Sequence, residues 1–246
     1  MIKIRNLTKS FDSHLIWKDV SFDIEEGETV AIIGRSGCGK SVLMKHLNAL
    51  MYPDSGEVII DGKNIFDLEY IALRKMRQRF GVLFQGSALF DSLNTFENIA
   101  FPLRYFTDLS EAKISVKVEN ALDMVNLSGI GEKSTADLSG GMRRRVALAR
   151  ATILQPDFLI YDEPTSGLDP QTSSEINRLI ISMAENLKIT SIVVTHDINS
   201  VLEIADKVAF LENKGLCWHG SVDEMRRSDD KDLLNFITAS EYQIRN

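Results

Sequence analysis

The tightest constraint on how this chain can fold lies between residues 28 and 50. The short apolar run ETVAII (28–33) is followed at once by GRSGCGKS, and Leu43, Leu47 and Leu50 then recur at spacings compatible with a helix. That order is a strand, a glycine loop and a helix. The loop, Gly34, Arg35, Ser36, Gly37, Cys38, Gly39, Lys40 and Ser41, matches G-x-x-x-x-G-K-[ST] in its required context. Gly34, Gly37 and Gly39 let backbone N–H groups close around phosphate oxygens, and the helix that follows adds its positive end. Lys40 is placed to neutralise β- and γ-phosphates, and the Ser41 hydroxyl to complete a Mg²⁺ shell. A glycine turn with a chance Lys-Ser pair would need neither flanking element.

Further short β-rich runs occur at GEVII before Asp61-Gly62, at FGVLF, at DFLIY and at TSIVVT, with helical stretches between them. This alternation predicts an α/β fold with a mostly parallel sheet covered by helices. Residues of about 86–155 differ in character. Amphipathic stretches dominate there, including SEAKISVKVENALDMVNL and GGMRRRVALARATIL, and predict a helical subdomain inserted into a core of about 1–85 and 156–220. A tail of about 221–246 completes one domain spanning 1–246. Asp169 can cap a helix that has Pro170 at its first position and runs to about Leu187. Asn213-Lys214-Gly215 marks a turn between closing strands.

Composition excludes several classes. Hydrophobic residues make up 44% of the 246, ample for a core. No apolar run approaches the roughly 18 to 20 residues of a membrane span, and MIKIRNLTKSF is not a secretory segment, so the chain is expected to remain in the cytoplasm. Two cysteines, Cys38 and Cys217, are expected as reduced thiols. A net charge of -7 argues against nucleic-acid binding. Two basic clusters, Arg74/Lys75/Arg77/Arg79 and Arg143/Arg144/Arg145, read most simply as solvated helix faces. The second also borders LSGG, which leaves a part in phosphate or interface electrostatics open.

Phe158–Tyr161 predict a buried strand ending in Asp162 and Glu163, two carboxylates at the ligand-binding edge of a sheet. Neighbouring residues of an extended chain point apart, so Asp162 is expected toward a metal shell and Glu163 toward an attacking water. A charged strand terminus is the plainer alternative. His196, after TSIVVT, could donate to a γ-phosphate or the water, yet a lone His is commonly structural or solvated. Gln85, at the end of FGVLF, is either a polar strand end or a Mg²⁺ contact. Leu138, Ser139, Gly140, Gly141 and Met142 form a second glycine-rich helix start. A second phosphate-facing surface in one chain is useful when two chains sandwich a nucleotide.

With GRSGCGKS, Gln85, LSGGM, YDEP, SGLD and His196 in this order, the chain resembles an ATP-binding cassette (ABC) ATPase over essentially its full length. The resemblance implies the ABC ATPase fold, in which a RecA-like P-loop core is joined by an antiparallel β portion and an inserted α-helical subdomain. It implies ATP and Mg²⁺, the metal held through Ser41, Gln85 and Asp162. It further implies a head-to-tail homodimer with two ATP sites, where Ser139, Gly140 and Gly141 bind γ-phosphate across the interface. Glu163 then polarises water and His196 steadies the γ-phosphate. Gln85 senses metal and membrane partner, and Ser166–Asp169 signal across the dimer. Phe11 matches the aromatic that stacks on adenine, although a strand-end Phe is often core packing.

The segment Gln85–Arg104, QGSALFDSLNTFENIAFPLR, lies where such ATPases grip a coupling helix of their membrane subunit. Most of its apolar residues, Leu89, Phe90, Leu93, Phe96, Ile99 and Phe101, are expected in the core. LSGGM followed by three arginines is similar to the ATPase of Mla-type, MCE-associated phospholipid transporters. Common nutrient-importer ATPases carry LSGGQ, and a Phe-Pro pair where this chain has Phe90-Asp91. The implied partners are an integral membrane permease and an MCE-type lipid-binding protein, with no nucleic acid. The implied place is peripheral, on the cytoplasmic face of the inner membrane. Another importer's ATPase, or a regulatory cassette of the cell-division type that moves no solute, are the alternatives. In the tail, DKDLLNFI either caps the fold or reaches a second subunit.

Overall fold

The computed structural model describes the backbone of residues 1–244 and the side chains of residues 1–240. Strands β1 (Ile2–Phe11) and β2 (His14–Ile24) form a hairpin, and β3 (Thr29–Ile33) leads through the glycine loop into α1 (Lys40–Leu47). Next come β4 (Ser55–Ile60), β5 (Lys63–Asn64), α2 (Tyr70–Gln78) and β6 (Phe80–Leu83). Three helices follow, α3 (Thr95–Phe106), α4 (Glu111–Met124) and α5 (Gly140–Thr152). The chain then alternates β7 (Phe158–Asp162), α6 (Pro170–Leu187), β8 (Thr190–Val194), α7 (Ile198–Ile204) and β9 (Lys207–Glu212). It closes with β10 (Gly215–Ser221), α8 (Val222–Arg226) and α9 (Lys231–Ile244).

Two sheets result. The larger has the order β10-β9-β3-β8-β7-β6, in which β10 alone runs antiparallel to its neighbour. The smaller, β2-β1-β4-β5, is antiparallel throughout. Buried on both faces, the central strands are continuous apolar runs whose alternation feeds different cores. Phe158 and Ile160 of β7, with Ile192 and Val194 of β8, join a cluster that also holds α1 (Leu43, Met44, Leu47) and β1 (Ile2, Ile4, Leu7). Thus α1 fills the space between the sheets. Leu159, Tyr161 and Val193 point the other way, into a cluster shared by α3, α4, α5 and α6. Ala31 and Ile33 of β3 face a third cluster with α7, α8 and α9.

The cap at Asp169 forms as the sequence suggests, its carboxylate accepting from the Thr172 N–H at 3.0 Å, and α6 ends at Leu187. In the tail, Leu233 and Phe236 are buried against Phe210, so DKDLLNFI caps the fold within this chain. Among the described residues no helix is long and apolar enough to cross a membrane.

The basic clusters depart from the solvated reading. Arg74 and Lys75 are exposed, but Arg77 donates to the Ala49 carbonyl and Arg79 pairs with Asp61 and Asp157. In the second cluster Arg143 is exposed, Arg145 pairs with Glu175, and Arg144 is only 4% exposed. Helical periodicity turns the middle arginine inward, where backbone carbonyls receive it. The segment after Gln85 also divides. Ile99 is buried and Leu89 and Phe96 pack partly against the helical cluster, while Phe90 and Phe101 remain exposed.

Candidate functional site

The site is built on the carboxyl ends of β3, β7 and β8, where ligands of open α/β sheets bind. At the start of the glycine loop the backbone approaches β9 so closely that a β-carbon on Gly34 would lie 2.2 Å from the Leu211 carbonyl oxygen. Only glycine fits there. Gly39, in the left-handed region at φ 97°, turns the loop into α1 beneath Trp17, whose indole donates to the Gly39 carbonyl at 3.4 Å. Lys40 is buried, with Nζ donating to the Gly34 carbonyl at 2.6 Å and the Arg35 carbonyl at 3.2 Å. The ammonium therefore sits inside the curve of the loop. Arg35 and Ser36 are exposed, Gly37 faces open space, and Ser41, the second residue of α1, is exposed. Burial pushes the Cys38 thiol up, against the pull of Lys40. Both cysteines are free.

Strand parity places the acid pair. Asp162 follows Phe158 and Ile160 on the face that carries α1, so its carboxylate faces the glycine loop. Burial and neighbouring Glu163 raise its pKa, while Lys40, Lys45 and Arg144 oppose that rise. Glu163 breaks the strand. Its backbone is left-handed at φ 49°, anchored by its N–H to the Val194 carbonyl at 2.8 Å. Its carboxylate thereby swings toward β8, where His196 Nδ1 lies 2.9 Å from Oε1 and the Thr195 hydroxyl donates to Oε2 at 3.3 Å. The His196 side chain is 54% exposed and that of Glu163 only 13%. Thr195 is the contact that sequence reading missed, although its place directly before His196 was the available signal.

Gln85 is exposed just past β6, and its backbone carbonyl is held from α5 by Arg144. Ser41, Gln85 and Asp162 offer a hydroxyl, an amide and one carboxylate. This all-oxygen set suits a hard cation that keeps its remaining positions for substrate oxygens and water. Among the described residues there is no group of three His, Cys, Asp or Glu for a different metal.

Phe11 ends β1 40% exposed, with Lys9 Nζ 5.3 Å from its ring centre, so core packing does not account for it. Ser139 caps α5, its hydroxyl accepting from the Met142 N–H at 3.2 Å, and Gly140 is exposed beside it. Met142 packs partly against the helical cluster. The start of α5 lies beside the loop that follows the acid pair, Gly140 next to Leu168 and Gly141 against Thr172, while the glycine loop follows β3, with β8 and β7 between β3 and β6.

Comparison with known proteins bears on this arrangement. The family model described as ABC transporter matches residues 17–166. The chain is 40% identical to the probable ribonucleotide transport ATP-binding protein mkl of Mycobacterium leprae, over 96% of this chain and 68% of that protein. It is 38% identical to the intermembrane phospholipid transport system ATP-binding protein MlaF of Haemophilus influenzae, over 96% of this chain and 90% of that protein. The methionine import ATP-binding protein MetN of Clostridium tetani is 37% identical over 98% of this chain and 76% of that protein. Among solved structures, a dimeric ATP-binding cassette in a post-hydrolysis state, bound to ADP and Pi, superposes with a TM-score of 0.82. That match has 32% identity and covers 90% of this chain and 99% of the other.

Proposed function

The chain belongs to the ABC transporter family as an ATPase with the ABC ATPase fold, and from that premise we propose that it powers a phospholipid permease from a two-site homodimer. The observation that carries the catalytic part is the carboxylate of Glu163, held by His196 and Thr195 beside an Asp162 that faces the glycine loop. In this reading the loop residues Gly34–Ser41 and Lys40 bind the phosphates of ATP, and Phe11 stacks on adenine. Ser41, Gln85 and Asp162 would hold Mg²⁺, which when bound would neutralise charge on the phosphates. Glu163 accepts a hydrogen bond from the attacking water and orients it in line with the γ-phosphate. His196 donates to the γ-phosphate from the exposed side.

The dimer rests on the likeness to a dimeric cassette and on the second N–H-rich helix start, at Ser139 and Gly140, which in this reading serves the nucleotide of a second chain. The membrane partner would meet the exposed aromatic row Phe90, Phe101, Tyr105 and Phe106, with ring centres 5.0, 6.2 and 4.7 Å apart in succession. Aromatic patches of this kind are characteristic of interface cores. An integral permease docked there puts the ATPase peripherally on the cytoplasmic face of the inner membrane. The MlaF resemblance, together with LSGGM and its arginines, supports phospholipid as cargo and an MCE-type protein as further partner. The similar identity to MetN keeps a small-solute importer as the second reading.

Affinity purification from detergent-extracted membranes, with mass spectrometry of bound proteins and lipids, distinguishes the two. Recovery of a permease with an MCE protein and phospholipid is expected. A solute permease and binding protein without lipid would overturn the cargo assignment and leave the ATPase intact.

A further inference from the structure

The buried arginine of α5 has no place in the scheme above. Arg144 Nη1 donates to the Phe84 carbonyl at 2.9 Å and to the Gln85 carbonyl at 2.5 Å, and Nη2 reaches the Ser166 carbonyl at 3.4 Å. One planar guanidinium thus ties three elements: the helix capped by Ser139, the end of β6, and the loop that follows the acid pair. The Phe84 carbonyl also receives the Ser87 N–H, but the Gln85 carbonyl is met by Arg144 alone among the described residues. Beyond Gln85 the chain is strained, with Ser87 and Ala88 left-handed at φ 62° and 47°. A second arginine six residues along α5 holds that stretch, Arg150 Nη2 donating to the Ser87 carbonyl at 3.0 Å. The side chain of Gln85 itself is exposed, so its position is set through its backbone.

We propose that Arg144 is a positioning residue for the metal: by fixing the Gln85 backbone to α5, it places the Gln85 amide where Mg²⁺ is bound. The inference rests on the assignment of Gln85 to the metal made above. It also carries a mechanical consequence. The helix whose first residues face the partner's nucleotide carries, five residues later, the group that sets a metal contact in its own site. A fork that spans three carbonyls is matched only in part by the single ammonium of lysine, and not by an amide.

The test is the Mg²⁺ dependence of ATP hydrolysis in the full chain, with R144M, R144Q and R144K compared alone and combined with Q85A. R144M is expected to raise the Mg²⁺ concentration for half-maximal turnover about tenfold, the scale of one lost charge-assisted contact. R144Q should behave similarly, and R144K should recover part of the shift. In Q85A, which should itself show weakened Mg²⁺ dependence, the same substitutions should add less than about twofold, because the two residues act in series. Binding of a fluorescent ATP analogue in EDTA should be unchanged by R144M. Should R144M fail to fold, R144Q and R144K carry the same comparison. Additive shifts in the double variants, or an equal loss of binding in EDTA, overturn the inference alone. A Q85A variant with wild-type Mg²⁺ dependence overturns it together with the assignment of Gln85.

Discussion

Glu163 is held in a conformation that an L-residue adopts at a cost of about 1–3 kcal/mol. The surrounding bonds, from the Glu163 N–H to the Val194 carbonyl and from the Thr195 hydroxyl to the Glu163 carboxylate, offset that cost and aim the side chain. Glu163→Gln keeps the shape and the strain but not the proton acceptor. It should bind ATP normally, lose at least about 100-fold in turnover, and accumulate as a nucleotide-bound dimer on size exclusion. Near-normal turnover would remove Glu163 from its role. A buried imidazole gives a second expectation. His46 is fully buried, and burial is the first cause lowering its pKa from 6.5. The unfolded chain therefore takes up this proton first as pH drops. The stability it contributes is complete above about pH 6.5 and is lost as pH falls through its folded value. Urea midpoints should decline from pH 7 to pH 5, and His46→Leu should flatten part of that slope; an unchanged slope would exonerate the imidazole. At this scale the sequence was legible where a motif fixed both residue and backbone, as in the glycine loop. It was misleading at Arg144, because charge alone suggests a solvated face and only the carbonyls of Phe84, Gln85 and Ser166 show where the cation goes.

Elements were legible wherever burial was uniform. The runs that became β3, β7 and β8 are mostly apolar and almost entirely buried because both faces of a parallel sheet are covered. The hairpin of β1 and β2 was not found in the residue pattern, though it contains two of the longest strands. Its register shifts at several points, and Asn6 and Asp19 are left-handed, so the alternation that identifies a half-buried strand is repeatedly reset. The tail is the complementary case. DKDLLNFI has helical spacing, but only the fold shows that Leu233 is fully buried beside Phe210 and Phe236. Leu233→Ala should destabilise the chain by about 2–4 kcal/mol, read by urea denaturation. ATP affinity in EDTA should be preserved, because the cluster that holds α1 is a different one. An effect below about 0.5 kcal/mol would mean that α9 does not dock in solution.

In the proposed scheme each chain supplies a glycine loop to one ATP site and the start of α5 to the other. Complementation follows from that scheme. Lys40→Ala spoils the loop half and Ser139→Arg the helix half, and each homodimer should be inactive. Mixing the two purified variants should restore one intact site per mixed dimer, and turnover should rise with total protein concentration. Persistent inactivity of the mixture, with mixed dimers verified by differential tagging, would exclude a shared site. The two halves also belong to separate hydrophobic clusters, α1 among the strands of both sheets and α5 among helices. Substitutions can therefore accumulate around α3 and α4 without disturbing the packing that shapes the phosphate loop. A lineage can change the membrane protein it serves by drift on one body while the fuel grip on the other stays fixed. Adaptation to a new partner is in this sense a local problem for the chain.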